Sequence, residues 1–270
     1  MGSSGLHPRT EAFNKAKDYT LKAIELNPQH AESHLSLAAI QFFQNWDFKD
    51  AETSLIKAID LGLHSSLLNQ LHGMIQISRG NFDDAIEKMN AALSMDPLSL
   101  PLMSYLADAY GFSKRFDEAL ALYDKIIELD ATFRRAFEGK GYIYIAQGDY
   151  ENAIINLRHY QSLIGHPLKG LSALAHAYAA GGYNDLAQEC LEKMKQRQLE
   201  EPGVNFDLDF AFLYSGFKDF DKVFYHLDQT YEQRMGIACT GILYCVRYAM
   251  LGEMRSDPRF PMLLKKIGLE

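Results

Sequence analysis

The chain has 270 residues, 47% hydrophobic and 23% charged, with a formal net charge of −8. That length gives one or two domains an ample core, and the negative balance excludes a general attraction to nucleic-acid backbones or anionic membranes. Cys190, Cys239 and Cys245 are an odd number without a CxxC pair, which argues against a disulfide framework or zinc site and fits a reducing, cytoplasmic compartment.

In chain order, "MGSSGLHPRT" reads as an expression-tag scar, so residues 1–11 are set aside as scar or disordered segment. Residues 12–28, "AFNKAKDYTLKAIELNP", predict a single helix that stops at Asn27-Pro28, because a proline ring cannot continue it. From there a fixed register begins. Ala51, Ala85, Ala119, Ala153 and Ala187 recur every 34 residues, and Gly73, Ala107, Gly141 and Ala175 do the same 12 residues earlier. Leu55, Met89, Tyr123, Leu157 and Leu191 follow each alanine by four, and Phe48, Phe82, Phe116 and Tyr150 precede it by three. Paired antiparallel helices, A and B, explain the pattern: small residues let the two approach, and the large residue one turn on fills the gap to the next pair.

Full units are expected at 31–64, 66–99, 100–133, 134–167 and 168–200, with residues 12–28 as a lone helix B. A degenerate unit at 204–236 is offset by two, with Ala211 and Val223 at its small positions. The first full unit has one extra residue between Ala38 and Ala51, expected to lengthen the A–B turn around a buried Trp46. A stack of repeats leaves its last apolar face open, so residues 237–270 are expected to cap it. Residues 238–251 and 260–269 form the cap's two helices, and Ser256-Asp257-Pro258 turns between them.

The period and the A-x₃-large pattern resemble the tetratricopeptide repeat. The resemblance implies an all-α, right-handed superhelix over residues 12–236, whose A helices line a concave groove for a protein or peptide. More narrowly, "NWDFKDAETSLIKAIDL", "SMDPLSLPLMSYLADAYGFSKRFDEAL", "GHPLKGLSALAHAYAAGGYNDLAQECLEKM" and the ending "RSDPRFPMLLKKIGL" are similar to the C-terminal repeat region of bacterial class III adenylate cyclases and winged-helix transcriptional regulators. That likeness implies a regulatory interaction module, with catalysis or DNA binding in another domain and no catalytic residue, cofactor or metal here.

Enzyme-like fragments have plainer explanations. "HAESH" has its Glu in the wrong place for HExxH and straddles a turn between units; "GKG" at Gly139–Gly141 lacks the strand and third glycine of a dinucleotide site. Asp83-Asp84 and Asp117-Glu118 fall where helix B begins and suit its dipole. The alternative is a stand-alone helical enzyme or small-molecule receptor using the concave pocket.

Positions 2, 5, 9 and 12 of each helix A give the expected lining. Leu35, Phe42, Leu67, Met74 and Ile77 make an apolar start. Gln70, Ser104, Asp108, Arg135, Glu138 and Tyr142 make a polar middle, and Lys169, Ser172 and His176 lead to Asn205, Leu208 and Phe212. Each apolar position is equally consistent with packing against the adjacent unit. Leu35, Ala39 and Met74 replace the basic and amide residues that grip the acidic tails of heat-shock chaperones, so that partner is excluded. A homodimer through the lone helix (Ala16, Leu21, Ala23, Ile24) is a further expectation.

Overall fold

The computed structural model describes residues 7–165, 170–233 and 253–269, with side chains from residue 14 onward apart from a few positions. Helix α1 (His7–Leu26) begins five residues before the expected start at 12. Pro8 does not oppose this, because a first-turn proline loses no helical hydrogen bond. Six A–B pairs follow: α2 (Ala31–Ile40) with α3 (Phe48–Asp60), α4 (Ser66–Arg79) with α5 (Phe82–Met95), α6 (Leu100–Phe112) with α7 (Phe116–Leu129), α8 (Arg134–Gln147) with α9 (Tyr150–Ile164), α10 (Leu171–Ala180) with α11 (Asn184–Glu200), and α12 (Asp207–Gly216) with α13 (Phe220–Gln233). After them come a 3₁₀ turn (Glu253–Ser256) and α14 (Arg259–Lys266). The described residues are helices and turns without a strand.

The small residues behave as the register requires. Ala51, Ala85, Ala119, Ala153 and Ala187 are fully buried. A Cβ on Gly73 would stand 2.8 Å from Met89 Cε, and one on Gly141 would stand 2.6 Å from Leu157 Cδ2. Each large helix-B residue thus occupies the space a side chain on helix A would need. Asp47, Ser65 and Asp149 cap α3, α4 and α9 through side-chain oxygens that accept backbone N–H groups at 3.1 Å.

The extra residue does not lengthen a turn. It is absorbed in a π-helical turn, Gln41–Asn45, that continues α2; such a turn holds one residue more than α-helical winding. Register is restored at Trp46, which is left-handed (φ 58°) like Gly80, Lys114, Gly148 and Gly182 at the same place in the next four units. Trp46 is buried, as expected.

Residues 237–252, including the first expected cap helix, Cys239 and Cys245, lie outside the described residues. The second cap helix forms one residue earlier than expected and buries Phe260 and Leu263, while Ile267 and Leu269 just beyond it are also buried. Asp257 precedes it, its carboxyl held down at about 2 by the Arg259 guanidinium and backbone N–H.

Candidate functional site: the inner face of the A helices

From α4 onward the A helices of adjacent units touch one another, and α3, α5, α7 and α9 each touch the helix A that follows. The A helices therefore form the inner rank. Their contact is closest between α10 and α12, because Gly216 presents no side chain to the α10 backbone; a Cβ there would meet the His176 carbonyl oxygen at 2.6 Å.

Packing sorts the expected lining residues. Leu35, Phe42, Met74, Ile77, Ser104, Asp108, Ser172, His176 and Phe212 are buried, whereas Gln70, Arg135, Glu138, Tyr142, Asn205 and Leu208 are half-buried and Leu67 is exposed. Lys169 lies outside the described residues. Phe42 is turned into the unit, edge-on to Phe48 at 5.5 Å and Phe43 at 5.0 Å. Its place in the π turn alters the angular spacing that the expected lining assumed.

The structure joins the middle residues into one network. Arg135 donates from Nη2 to Asp108 Oδ2 at 2.5 Å and from Nε to Ser104 Oγ at 3.0 Å. Its guanidinium also lies 5.0 Å from the centre of the Tyr105 ring. Tyr123 donates its hydroxyl to the other oxygen of Asp108. Asp108 is 2% exposed, and a polar group so buried needs hydrogen-bond partners of this kind. The repeat marks Tyr123 as a large helix-B residue and carries no signal for its polar tip. A buried tyrosine needs a hydrogen-bond acceptor, and that requirement leads to Asp108. The ring itself is admitted by Gly139, whose missing Cβ makes room for it.

Glu138 stands beside this network and accepts a hydrogen bond from Tyr160. Its surface is partly open, but the surrounding protein displaces bulk water, and that desolvation raises its pKa more than nearby Arg135 lowers it. Burial likewise raises the Tyr160 phenol, and Glu138 adds to the shift. Asp209, absent from the expected lining, is similar: surface-exposed, it receives the Ser172 hydroxyl at 2.7 Å, and desolvation inside the curve raises its pKa despite Arg197.

Farther along, aromatic rings fill the inner face. His176 stacks on Phe212 at 4.9 Å, and Tyr142 meets Phe212 edge-on at 5.5 Å. This brings α8 and α12 together across α10. His176 Nδ1 lies 3.1 Å from the Phe212 carbonyl oxygen and 2.8 Å from Ser215 Oγ; since a carbonyl only accepts, the proton is assigned to Nδ1. Burial lowers the His176 pKa to about 4, opposed by its bond to Phe212. The Cys190 thiol is buried and pushed up to about 11, chiefly by desolvation, so it is a packing residue without thiolate character.

His30 and His34 do not converge on a metal. His34 Nε2 is 2.9 Å from the Pro28 carbonyl, and His30 Nδ1 is 2.8 Å from Ser33 Oγ. Among the described residues, His, Cys, Asp and Glu form no group of three that could hold a metal ion, and no helix is long and apolar enough to cross a membrane.

Family models described as tetratricopeptide repeat match residues 76–141 and 135–165. The fold is an all-α tetratricopeptide-repeat solenoid. A tetratricopeptide repeat protein from Parabacteroides merdae superposes with a TM-score of 0.64 at 15% identity, covering 96% of this chain and 94% of that one. The type IV pilus biogenesis factor PilW gives 0.60 at 19% identity, covering 73% and 89%. The Cut9–Hcn1 hetero-tetramer of APC/C gives 0.60 at 16% identity, covering 81% and 40%. Among curated proteins, Protein NPGR2 of Arabidopsis thaliana is 26% identical over 109 residues, which is 38% of this chain and 14% of that protein. Repeats of this type generally mediate protein–protein interactions.

Proposed function

We propose that this chain is a non-catalytic scaffold that takes a protein or peptide segment against the inner face of units two to four, at Gln70, Arg135, Glu138 and Tyr142. The Arg135–Asp108–Tyr123 network carries this reading. It fixes polar groups at the face before any partner arrives, and such preorganisation reduces the ordering penalty of binding. Arg135 is committed to Asp108 and Ser104, whereas Glu138 combines partial exposure with a carboxylate that desolvation disfavours. A partner's Lys or Arg side chain would offset that desolvation and favour the charged form, so a basic or mixed-charge segment is the fitting ligand.

The resemblance of several phrases to the repeat region of bacterial cyclases and winged-helix regulators supports a regulatory role beside such an output domain, in the cytoplasm. On α1, Ala23 and Ile24 are half-buried against α2, while Ala16, Tyr19, Leu21 and Leu26 are exposed. Ala16, Tyr19 and Leu26 share one side of the helix, which is the face a homodimer or an adjoining domain would use.

The test is Glu138→Gln in a co-precipitation against the unmodified chain. Because desolvation already opposes this charge, the substitution is expected to leave the melting temperature unchanged or slightly higher while partner capture falls. Equal capture by both forms would reject Glu138 as a contact.

A further inference from the structure

In a linear solenoid each unit touches only its neighbours. Here the first and sixth units meet. The Trp46 ring, at the A–B turn of unit one, lies 6.0 Å from the Tyr231 ring of α13 at an interplanar angle of 67°. Gly268, just beyond α14, faces Phe48 at the start of α3, and a Cβ there would stand 4.0 Å from Phe48 Cδ2.

Helix α14 also grips α13. Arg259 Nη1 is 2.7 Å from Asp221 Oδ1, and Lys266 Nζ is 2.9 Å from both Asp228 Oδ1 and Glu232 Oε1. The Arg259 guanidinium lies 4.5 Å from the centre of the Phe224 ring, and Lys266 Nζ lies 5.0 Å from that of Tyr231. Basic residues of the terminal helix thus meet an acidic row on the last helix B, while the chain just beyond reaches unit one.

We infer that the C-terminal helix is a clasp that fastens the sixth unit to the first and sets how far the inner face opens. Leu263, Ile267 and Leu269 bury the clasp's apolar side, and the Trp46–Tyr231 edge contact joins the two ends. The charged part sets register and responds to conditions. Its acids are well exposed, so each pair contributes little by itself and weakens as the screening length falls from ~10 Å at 0.1 M salt to ~3 Å at 1 M. Release of such a clasp leaves the helix A–helix B contacts intact, because those are made within each unit. The second role, opening the inner face, rests on the scaffold reading; the closure itself does not.

Trp46 is the chain's single tryptophan and reports directly on the junction. Using the full chain, acrylamide quenching of its fluorescence, the radius of gyration from small-angle scattering and far-ultraviolet dichroism would be followed from low to high ionic strength. The same measurements would be made on Arg259→Glu/Lys266→Glu. Closure predicts a shielded Trp46 and a compact particle at low salt. The double substitution turns three attractions into repulsions, so it should raise quenching several-fold and expand the particle with helical dichroism unchanged, and salt should move both readouts the same way by less. Adding Asp221→Lys and Asp228→Lys to the double variant should restore shielding.

Free quenching of the unmodified chain at low salt would overturn the closure. Quenching unmoved by both salt and charge reversal would overturn the clasp, as would loss of helix in step with exposure of Trp46. None of these readouts involves a partner, so their failure leaves the scaffold reading standing.

Discussion

Units three and four organise their inner face with charge, whereas units five and six fill theirs with rings. In the first region a buried carboxylate, Asp108, is held by Arg135 and Tyr123, and the arrangement leaves Arg135 and Glu138 reachable from solvent. In the second, His176 and Phe212 stack, Tyr142 of unit four abuts Phe212 from outside, and α12 closes on α10 at Gly216. The same backbone repeat therefore gives a polar, solvent-reachable surface in one place and a packed plug in the other. The difference lies in the chemistry of a few A-helix positions.

The sharpest way to break the charged region is Arg135→Met. It strips Asp108 of its cation, and removing one member of a buried pair is strongly destabilising, by ~3–5 kcal/mol; partial exposure of Arg135 places the effect toward the lower end. Denaturant unfolding would measure it, and adding Asp108→Leu should recover much of the loss. A charge reversal at Arg135 is consequently a poor probe of partner binding, because it would unfold the surface it was meant to test.

Acid should strike the ring-filled region instead. His176 is neutral when folded, with a pKa of about 4, against an ordinary value of 6.5. Its contribution is therefore intact above pH 6.5 and is lost as pH falls toward 4, by about 3 kcal/mol at the limit. His176→Phe should flatten that slope in a stability–pH profile. An equally steep slope in the variant would assign it to other groups.

Ala119→Leu sharpens the comparison by attacking what the two regions share. Overpacking a helix A–B contact should lower stability by ~1–3 kcal/mol, and Ala187→Leu in the ring-filled region should fall in the same range by thermal melt. A large disparity would mean that the alternating units are not mechanically equivalent.

The scaffold was legible because it is written in a small vocabulary at a fixed interval. The alanines, Gly73, Gly141 and the large residue four beyond each alanine specify helix pairing wherever they recur. The inner face was less legible because the same mapping of positions cannot distinguish a side chain facing the groove from one facing a neighbouring unit. Phe42 was diverted by the π turn, and His176 was enclosed by α12, whose approach depends on Gly216. Asp209 sits in the unit whose register shifts by two, so spacing alone assigned the lining to Leu208. The contact between the first and last units has no local signal, since it depends on curvature accumulated over the whole stack.

The most direct test of the scaffold reading is site-specific photocrosslinking in cells. A photoreactive residue would replace Gln70 or Glu138 on the inner face, and Ile155, which is 63% exposed on α9, as the outer control. Discrete partner adducts should form at positions 70 and 138 and not at 155. Adducts at 155 with none at the two inner positions would contradict the account.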